Sequence, residues 1–367
     1  MKKQVCRSPM LALLAALSCT AFAAEAPQRL DKQGEQAYRL QQPLQDFYDT
    51  AFVWSDAGRA EPSLLDMDEL ARRLAGYDVI FFGESHRHPG IHLQQQRLLR
   101  ALHARHPAMI VSLEQFERDV QPVLDGYLAG KLGENALVDD GRAWDNYRPS
   151  YRPLVQFAKE RGLPVIAAEA PTWAISCIGQ QGLAVLERFT PEERSWVARE
   201  LDTGPGAYRD KYMKFQSGAA THGGGAAMSE AAKARAERSF AAQVARDETM
   251  AEAIAEALQK KPGAKVLHLN GNFHSAAFLG TAERLQRRLP QLKIAVIDPV
   301  EVTDPKLPSF AGAALKEGTV LQLVYPNPES FAPGEDQSAW VRKVMAKRTA
   351  NACKYAPASA PAAAPKS

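Results

Sequence analysis

The sequence predicts a three-layer α/β/α fold on a largely parallel central sheet. Apolar runs of strand length alternate along the chain with segments of helical periodicity. Several of those runs stop abruptly at a glycine or a polar residue, as strands do where they hand over to a helix. No repeat of solenoid length competes with this reading. The clearest unit spans residues 78–92, DVIFFGESHRHPGIH. Its apolar run ends at Gly83-Glu84-Ser85-His86, and a helical pattern opens at Ile91 after Pro89-Gly90. In sheets of this kind ligands collect at the carboxyl ends of the strands.

Residues 1–23 read as an export signal rather than as part of the fold. Lys2, Lys3 and Arg7 precede an apolar core, and Ala21-Phe22-Ala23 forms a small-x-small cleavage site. Cys19, after Ala16-Leu17-Ser18, offers the alternative of lipoprotein processing and a lipid anchor, although alanine stands where a larger apolar residue is usual. The expected product is exported and periplasmic, beginning near Ala24. The full chain has 45 basic and 42 acidic residues; without Lys2, Lys3 and Arg7 the count is 42 against 42. That balance removes the electrostatic case for nucleic acid or an anionic membrane surface. Of the four cysteines, Cys6 and Cys19 lie in the leader, leaving Cys177 and Cys353 to pair or not in an oxidising compartment.

Residues 24–60 are polar and read as an irregular extension, with Phe47, Phe52 and Trp54 as anchors to a domain spanning 61–350. Asp66 to Glu69 fits a capping box for a helix stopping near Gly76. A strand at 78–82 precedes a helix bearing Leu98, Leu99 and Leu102 on one side, closed by Pro107. A second strand at 108–113 is followed at once by Glu114. After an aromatic patch from Trp144 to Tyr151 and a helix at 154–161, a third strand at 165–168 is followed at once by Glu169.

A helical insertion then occupies 171–262. Thr190-Pro191-Glu192-Glu193 is a second capping box, and the small-residue stretch 217–227 reads as mobile. A long helix at 229–260 carries an apolar stripe of Phe240, Val244, Ile254 and Leu258, and Asp247 falls inside it. A buried carboxylate requires a polar partner, so Asp247 should face one. A fourth strand at 265–269 runs into Asn270-Gly271-Asn272-Phe273-His274, and strands at 293–297 and 319–324 follow. A helix at 338–350 precedes a Pro/Ala tail, 351–367, expected to be disordered.

Four successive strands thus end in Glu84 and His86, in Glu114, in Glu169, and in Asn270 and His274. Three carboxylates and two imidazoles at neighbouring strand ends point to one polar cleft, with Asp247 closing over it. Such a set suits a divalent metal held by His86, Glu114 and His274, with Glu84 as base on a bound water in a metal-dependent hydrolase. It equally suits acid–base work, or ligation of a haem iron by histidine or tyrosine. His92, on the first helical turn, either joins the cleft or bonds within its loop. His88, His103, His106 and His222 read as solvated, His268 as a satisfied core residue, and Trp144, Tyr147 and Tyr151 as packing.

These motifs carry a resemblance. Gly83-Glu84-Ser85-His86 with His92, Ser112 to Phe116, Trp144 with Tyr151-Arg152-Pro153-Leu154, Gln243 with Asp247, Met250 and Ala251, and Gly271-Asn272-Phe273-His274 stand in the order found in the ChaN-like, haem-binding branch of the Tiki and erythromycin-esterase-like superfamily. The resemblance covers roughly residues 75–290. It implies the three-layer fold and an exported, often lipid-anchored protein that binds haem for iron acquisition. It also implies contact with haem-uptake machinery and a homodimer on haem binding. The family's haem-contacting tyrosine maps to no single position; Tyr147, Tyr151, Tyr208 and Tyr212 are the candidates.

Overall fold

The computed structural model describes residues 27–32, 35–55, 62–220, 229–343 and 353–355. The leader with Cys19, His222 and most of the small-residue stretch therefore lie outside the described residues. The extension is not irregular: it forms β1 (Gln28–Lys32), β2 (Glu35–Arg39) and β3 (Thr50–Trp54). β1 and β2 pair as an antiparallel hairpin, while β3 lies between the next strand, at Ser63–Leu65, and one far along the chain, at Val320–Val324. β4 (Ser63–Leu65) leads into α1 (Met67–Leu74), whose cap is Asp66; its carboxylate accepts the Glu69 N–H at 2.8 Å.

β5 (Val79–Glu84) is buried along its whole length and leads to α2 (Pro89–Arg105). α2 begins earlier than its periodicity suggested, because His88 caps it and Pro89 occupies the first turn. His88 is fully buried rather than solvated, and its Nε2 lies 2.7 Å from the Tyr325 carbonyl. Gly90 is required where the extension crosses α2, since a Cβ there would sit 2.2 Å from the Phe47 carbonyl oxygen. β6 (Met109–Glu117), α3 (Gln121–Leu128), α4 (Glu134–Asp139), α5 (Arg152–Arg161) and β7 (Val165–Glu169) complete the first half.

The insertion comprises α6 (Thr172–Gln181), α7 (Pro191–Ser195), α8 (Ala207–Ala220) and α9 (Glu230–Lys260). Thr190 and Glu193 form both halves of the capping box of α7. β8 (Lys265–Gly271), α10 (Thr281–Arg288), β9 (Ile294–Glu301), β10 (Ser309–Ala311) and β11 (Val320–Val324) follow. Helix resumes at 338 and is described to 343. The tail departs from its expected disorder at its first described residues. Cys353 is disulfide-bonded to Cys177, and Tyr355 stacks on Phe189 with ring centroids 5.4 Å apart.

The main sheet has the order β4-β3-β11-β9-β5-β8-β6-β7. From β11 to β7 every neighbouring pair is parallel, and β3 and β4 add an antiparallel edge. Alternate strand residues feed opposite layers. Ile80, Phe82, Val111 and Leu113 pack against α1, α2 and α5, whereas Val79, Phe81, Ile110 and Val266 pack against α9 and α10. Among the described residues no helix is long and apolar enough to cross a membrane.

Candidate functional site

The parallel strands deliver their terminal side chains to one edge. Along β5 an extended chain points alternate residues the same way, so His86 can turn its ring back onto Glu84. The Nδ1–H of His86 donates to Glu84 Oε1 at 2.9 Å. Glu84 is almost fully buried and takes three further donors: Tyr151 Oη at 2.5 Å, Gln115 Nε2 at 3.1 Å and Gln95 Nε2 at 2.7 Å. A buried carboxylate is tolerable when its lone pairs are filled in this way. The His86 side chain remains 43% exposed, and its ring meets Trp144 edge-on with centroids 4.9 Å apart.

The ladder between β6 and β8 ends at Leu113 and Leu269, and β6 shifts register beyond that point. Glu114 is thereby released to the edge. One oxygen accepts the Gly271 backbone N–H at 2.6 Å and the other accepts from Arg246 Nη2 at 2.7 Å. Arg246 also donates through Nε to Glu169 at 2.7 Å, so one guanidinium ties the ends of β6 and β7 to α9. Burial pushes the Glu114 carboxyl up, but the charges of His274, Arg246 and His86 and the Gly271 N–H outweigh it and hold Glu114 at about 2. For Glu169 burial wins and the carboxyl lies above its ordinary value.

Asp247, on α9, is fully buried and faces polar partners: His274 Nδ1 at 2.8 Å, Thr281 Oγ1 at 2.8 Å and Tyr208 Oη at 2.6 Å. Burial opposes its charge, yet the His274 imidazole keeps it below the usual carboxylate range. Burial likewise lowers both imidazoles, and neighbouring carboxylates more than compensate, so His86 and His274 both sit above the ordinary histidine value. The Nε2 of His274 lies 3.7 Å from Glu114. Two carboxylate–histidine pairs thus stand beside an arginine shared by Glu114 and Glu169.

His92 stays behind this surface, bridging Gln95 at 3.0 Å and the His86 carbonyl at 3.0 Å, and so supports the loop. Asn270 is buried and bonds the Gly271 carbonyl and Ser275. His268 bonds Ser112 inside the core, and burial lowers it to about 3. The candidate tyrosines have committed positions. The hydroxyl of Tyr151 serves Glu84, that of Tyr208 serves Asp247, that of Tyr212 pairs with Ser239 at 2.6 Å, and that of Tyr147 is buried.

The expected metal set does not assemble. Among the described residues no group of three or more His, Cys, Asp or Glu is placed to hold an ion. Both Glu114 oxygens are committed, and the cationic Arg246 stands among the would-be ligands. Arg246 and Gln95 escaped the sequence reading, and Gln115 entered it only within the Ser112 to Phe116 motif, with no role assigned. The only signal for Arg246 was its place beside Asp247, and adjacent helical residues point about 100° apart.

Gly271 is where backbone and imidazole pack most closely. A Cβ there would lie 2.8 Å from His86 Cε1 and 2.9 Å from Nε2. Gly271→Ala is expected to push the ring outward, costing about 1–2 kcal/mol in urea unfolding. The His86 NMR titration should return towards ordinary histidine; an unchanged titration would contradict this packing.

The family profile described as haem-binding uptake, Tiki superfamily, ChaN matches residues 70–285, more than half of the chain. The chain belongs to the ChaN family. No curated protein matches it in sequence. A solved ChaN from Campylobacter jejuni, described by its cofacial haem binding, is 17% identical and superposes with a TM-score of 0.55 over 78% of this chain and 100% of its own. At that identity the likeness is one of fold. An erythromycin esterase mutant in its open conformation is 13% identical, covering 72% of this chain and 83% of its own at a TM-score of 0.39. A succinoglycan biosynthesis protein is 12% identical, covering 77% and 94% at a TM-score of 0.44. In this ChaN-family chain the strand ends border a cleft of about 1160 Å³, whose lining includes His86, Arg246 and His274 together with Ile91, Phe215, Phe273 and Val324.

Proposed function

We propose that this protein is exported and binds haem in the cleft at the carboxyl edge of the sheet, serving haem uptake. Family membership supports the ligand class, and the character of the cleft supports the place. Small-molecule sites are concave and set apolar walls beside a few placed polar groups. Here Phe273 packs with Tyr212 and Phe215, ring centroids 6.1 and 5.5 Å apart, and the three line the cleft beside His86 and His274, with buried Tyr208 behind them. Flat apolar surface beside imidazole suits an iron porphyrin, whose iron proteins ligate through His, Cys, Met or Tyr. The donor set fits that group better than a bare divalent ion, because Arg246 opposes the latter. When bound, haem supplies the iron and its redox chemistry; the protein supplies the wall, the imidazole and the exclusion of water. A Cys177–Cys353 disulfide suits an oxidising compartment and so supports export.

Titration of the purified chain with hemin is expected to give a saturable Soret change at a fixed haem-to-protein ratio. Phe215 is 60% exposed, so Phe215→Ala should leave folding intact and weaken binding about tenfold, the equivalent of about 1.4 kcal/mol of apolar contact. An unchanged hemin spectrum in the wild-type protein would refute the reading. Equal affinity in Phe215→Ala would remove the aromatic wall from it.

A further inference from the structure

We infer that the stretch following β11 docks the protein on an anionic lipid surface, Trp340 and Val341 entering the headgroup layer while Arg342 and Lys343 meet its phosphates. The chain as a whole is electrically even, and that evenness conceals a local excess. From Ser338 to Cys353 the sequence carries Arg342, Lys343, Lys347 and Arg348 and no acid. Glu329, Glu335 and Asp336 precede the helix that resumes at 338, and Asp336 is engaged there. Its carboxylate accepts the Ser338 N–H at 2.8 Å and the Ser338 hydroxyl at 3.0 Å.

Every residue from 338 to 343 is exposed. Trp340 is 55% and Val341 42% exposed, and the Trp340 ring meets Phe331 edge-on with centroids 5.5 Å apart. Neighbouring large apolar side chains bare to water beside cations are the make-up of a helix that lies in a membrane interface. Tryptophan in particular is enriched at headgroup depth. The Arg342 guanidinium donates to the Ser338 hydroxyl at 3.0 Å, and among the described residues neither it nor Lys343 meets a carboxylate. Four cations in one stretch favour anionic lipid and oppose a second copy of the same stretch, whose like charges would repel. Both ends of the stretch are fixed at the rim of the cleft. Val324, the last residue of β11, lines the cleft, and so does Ile175 of α6. Two residues beyond Ile175, Cys177 holds Cys353. Docking therefore keeps the cleft beside the lipid surface, and it requires no haem.

The test is co-sedimentation of the exported chain, beginning at Ala24 so that neither leader nor lipid anchor contributes, with vesicles in the absence of hemin. The chain should bind vesicles of mixed phosphatidylcholine and phosphatidylglycerol, leave phosphatidylcholine alone, and be released by salt. Arg342→Gln with Lys343→Gln should weaken binding about thirtyfold, from about 1 kcal/mol for each charge near the surface. Brominated lipid should quench the tryptophan fluorescence of the wild type and lose most of that effect in Trp340→Phe. Equal binding to both vesicle types, or wild-type affinity in the double variant, would overturn the inference. So would undiminished quenching in Trp340→Phe, or a lipid-free dimer abolished by Trp340→Ser, which would give the patch to a second copy. None of these outcomes bears on haem binding, which the hemin titration decides separately.

Discussion

Arg246→Met is expected to destabilise the protein by about 3–5 kcal/mol at pH 7, the cost of leaving buried charges unpaired. Arg246 is the shared partner of Glu114 and Glu169, which are 1% and 5% exposed. Methionine preserves most of the apolar stem and removes only the fork. In wild type Glu114 is depressed to about 2, burial being outweighed by His274, Arg246 and His86. It therefore contributes stability that is present above the unfolded carboxyl value of about 4.3 and lost as pH falls towards 2. In the variant Glu114 should move up from about 2, weakening that contribution, and Glu169, already raised by burial, should rise further, so that more stability is lost as pH rises through its value. Urea unfolding at pH 7.5 and pH 5 should show a large deficit that shrinks in acid. A deficit independent of pH would mean that Arg246 acts through packing alone.

Asp298→Asn is expected to stabilise the protein above neutral pH. Asp298, on β9, is 5% exposed, and among the described residues its Oδ1 has no hydrogen-bond partner. Burial raises its carboxyl to about 7, Glu317 adding to the effect and Lys211 opposing it. A carboxyl raised in the folded state contributes stability that is fully present below its unfolded value, about 3.9, and is lost as pH rises through about 7. Each unit is worth about 1.4 kcal/mol, so the gain in Asn approaches about 4 kcal/mol above pH 8 and vanishes near pH 4. Thermal unfolding across that range would show the two curves converging in acid. Parallel curves would contradict the buried, charge-averse setting assigned to Asp298.

The parts of the fold legible in the sequence were those governed by local pattern. The strand runs, the Thr190–Glu193 box and the polar residues at strand ends are encoded within a few positions of one another. β3 was not, because it is a strand by virtue of pairing with β11, whose Val320 faces Trp54 from 266 residues further along the chain. His88 reads as a solvated histidine until the extension covers it. Arg246 illustrates the same limit at the site. Its stem is long enough to reach the sheet edge from a helix position that periodicity places beside the buried stripe. The tyrosines show the converse, since composition revealed them and only the fold shows which hydroxyls are committed.

Crystals grown with hemin, with diffraction recorded on both sides of the iron absorption edge, would locate the ligand independently of any mutation. The expected anomalous peak lies in the cleft at the carboxyl ends of β5, β6 and β8, beside Phe273. A peak on any surface away from the carboxyl ends of β5, β6 and β8 would show that the converging acids and imidazoles serve something else.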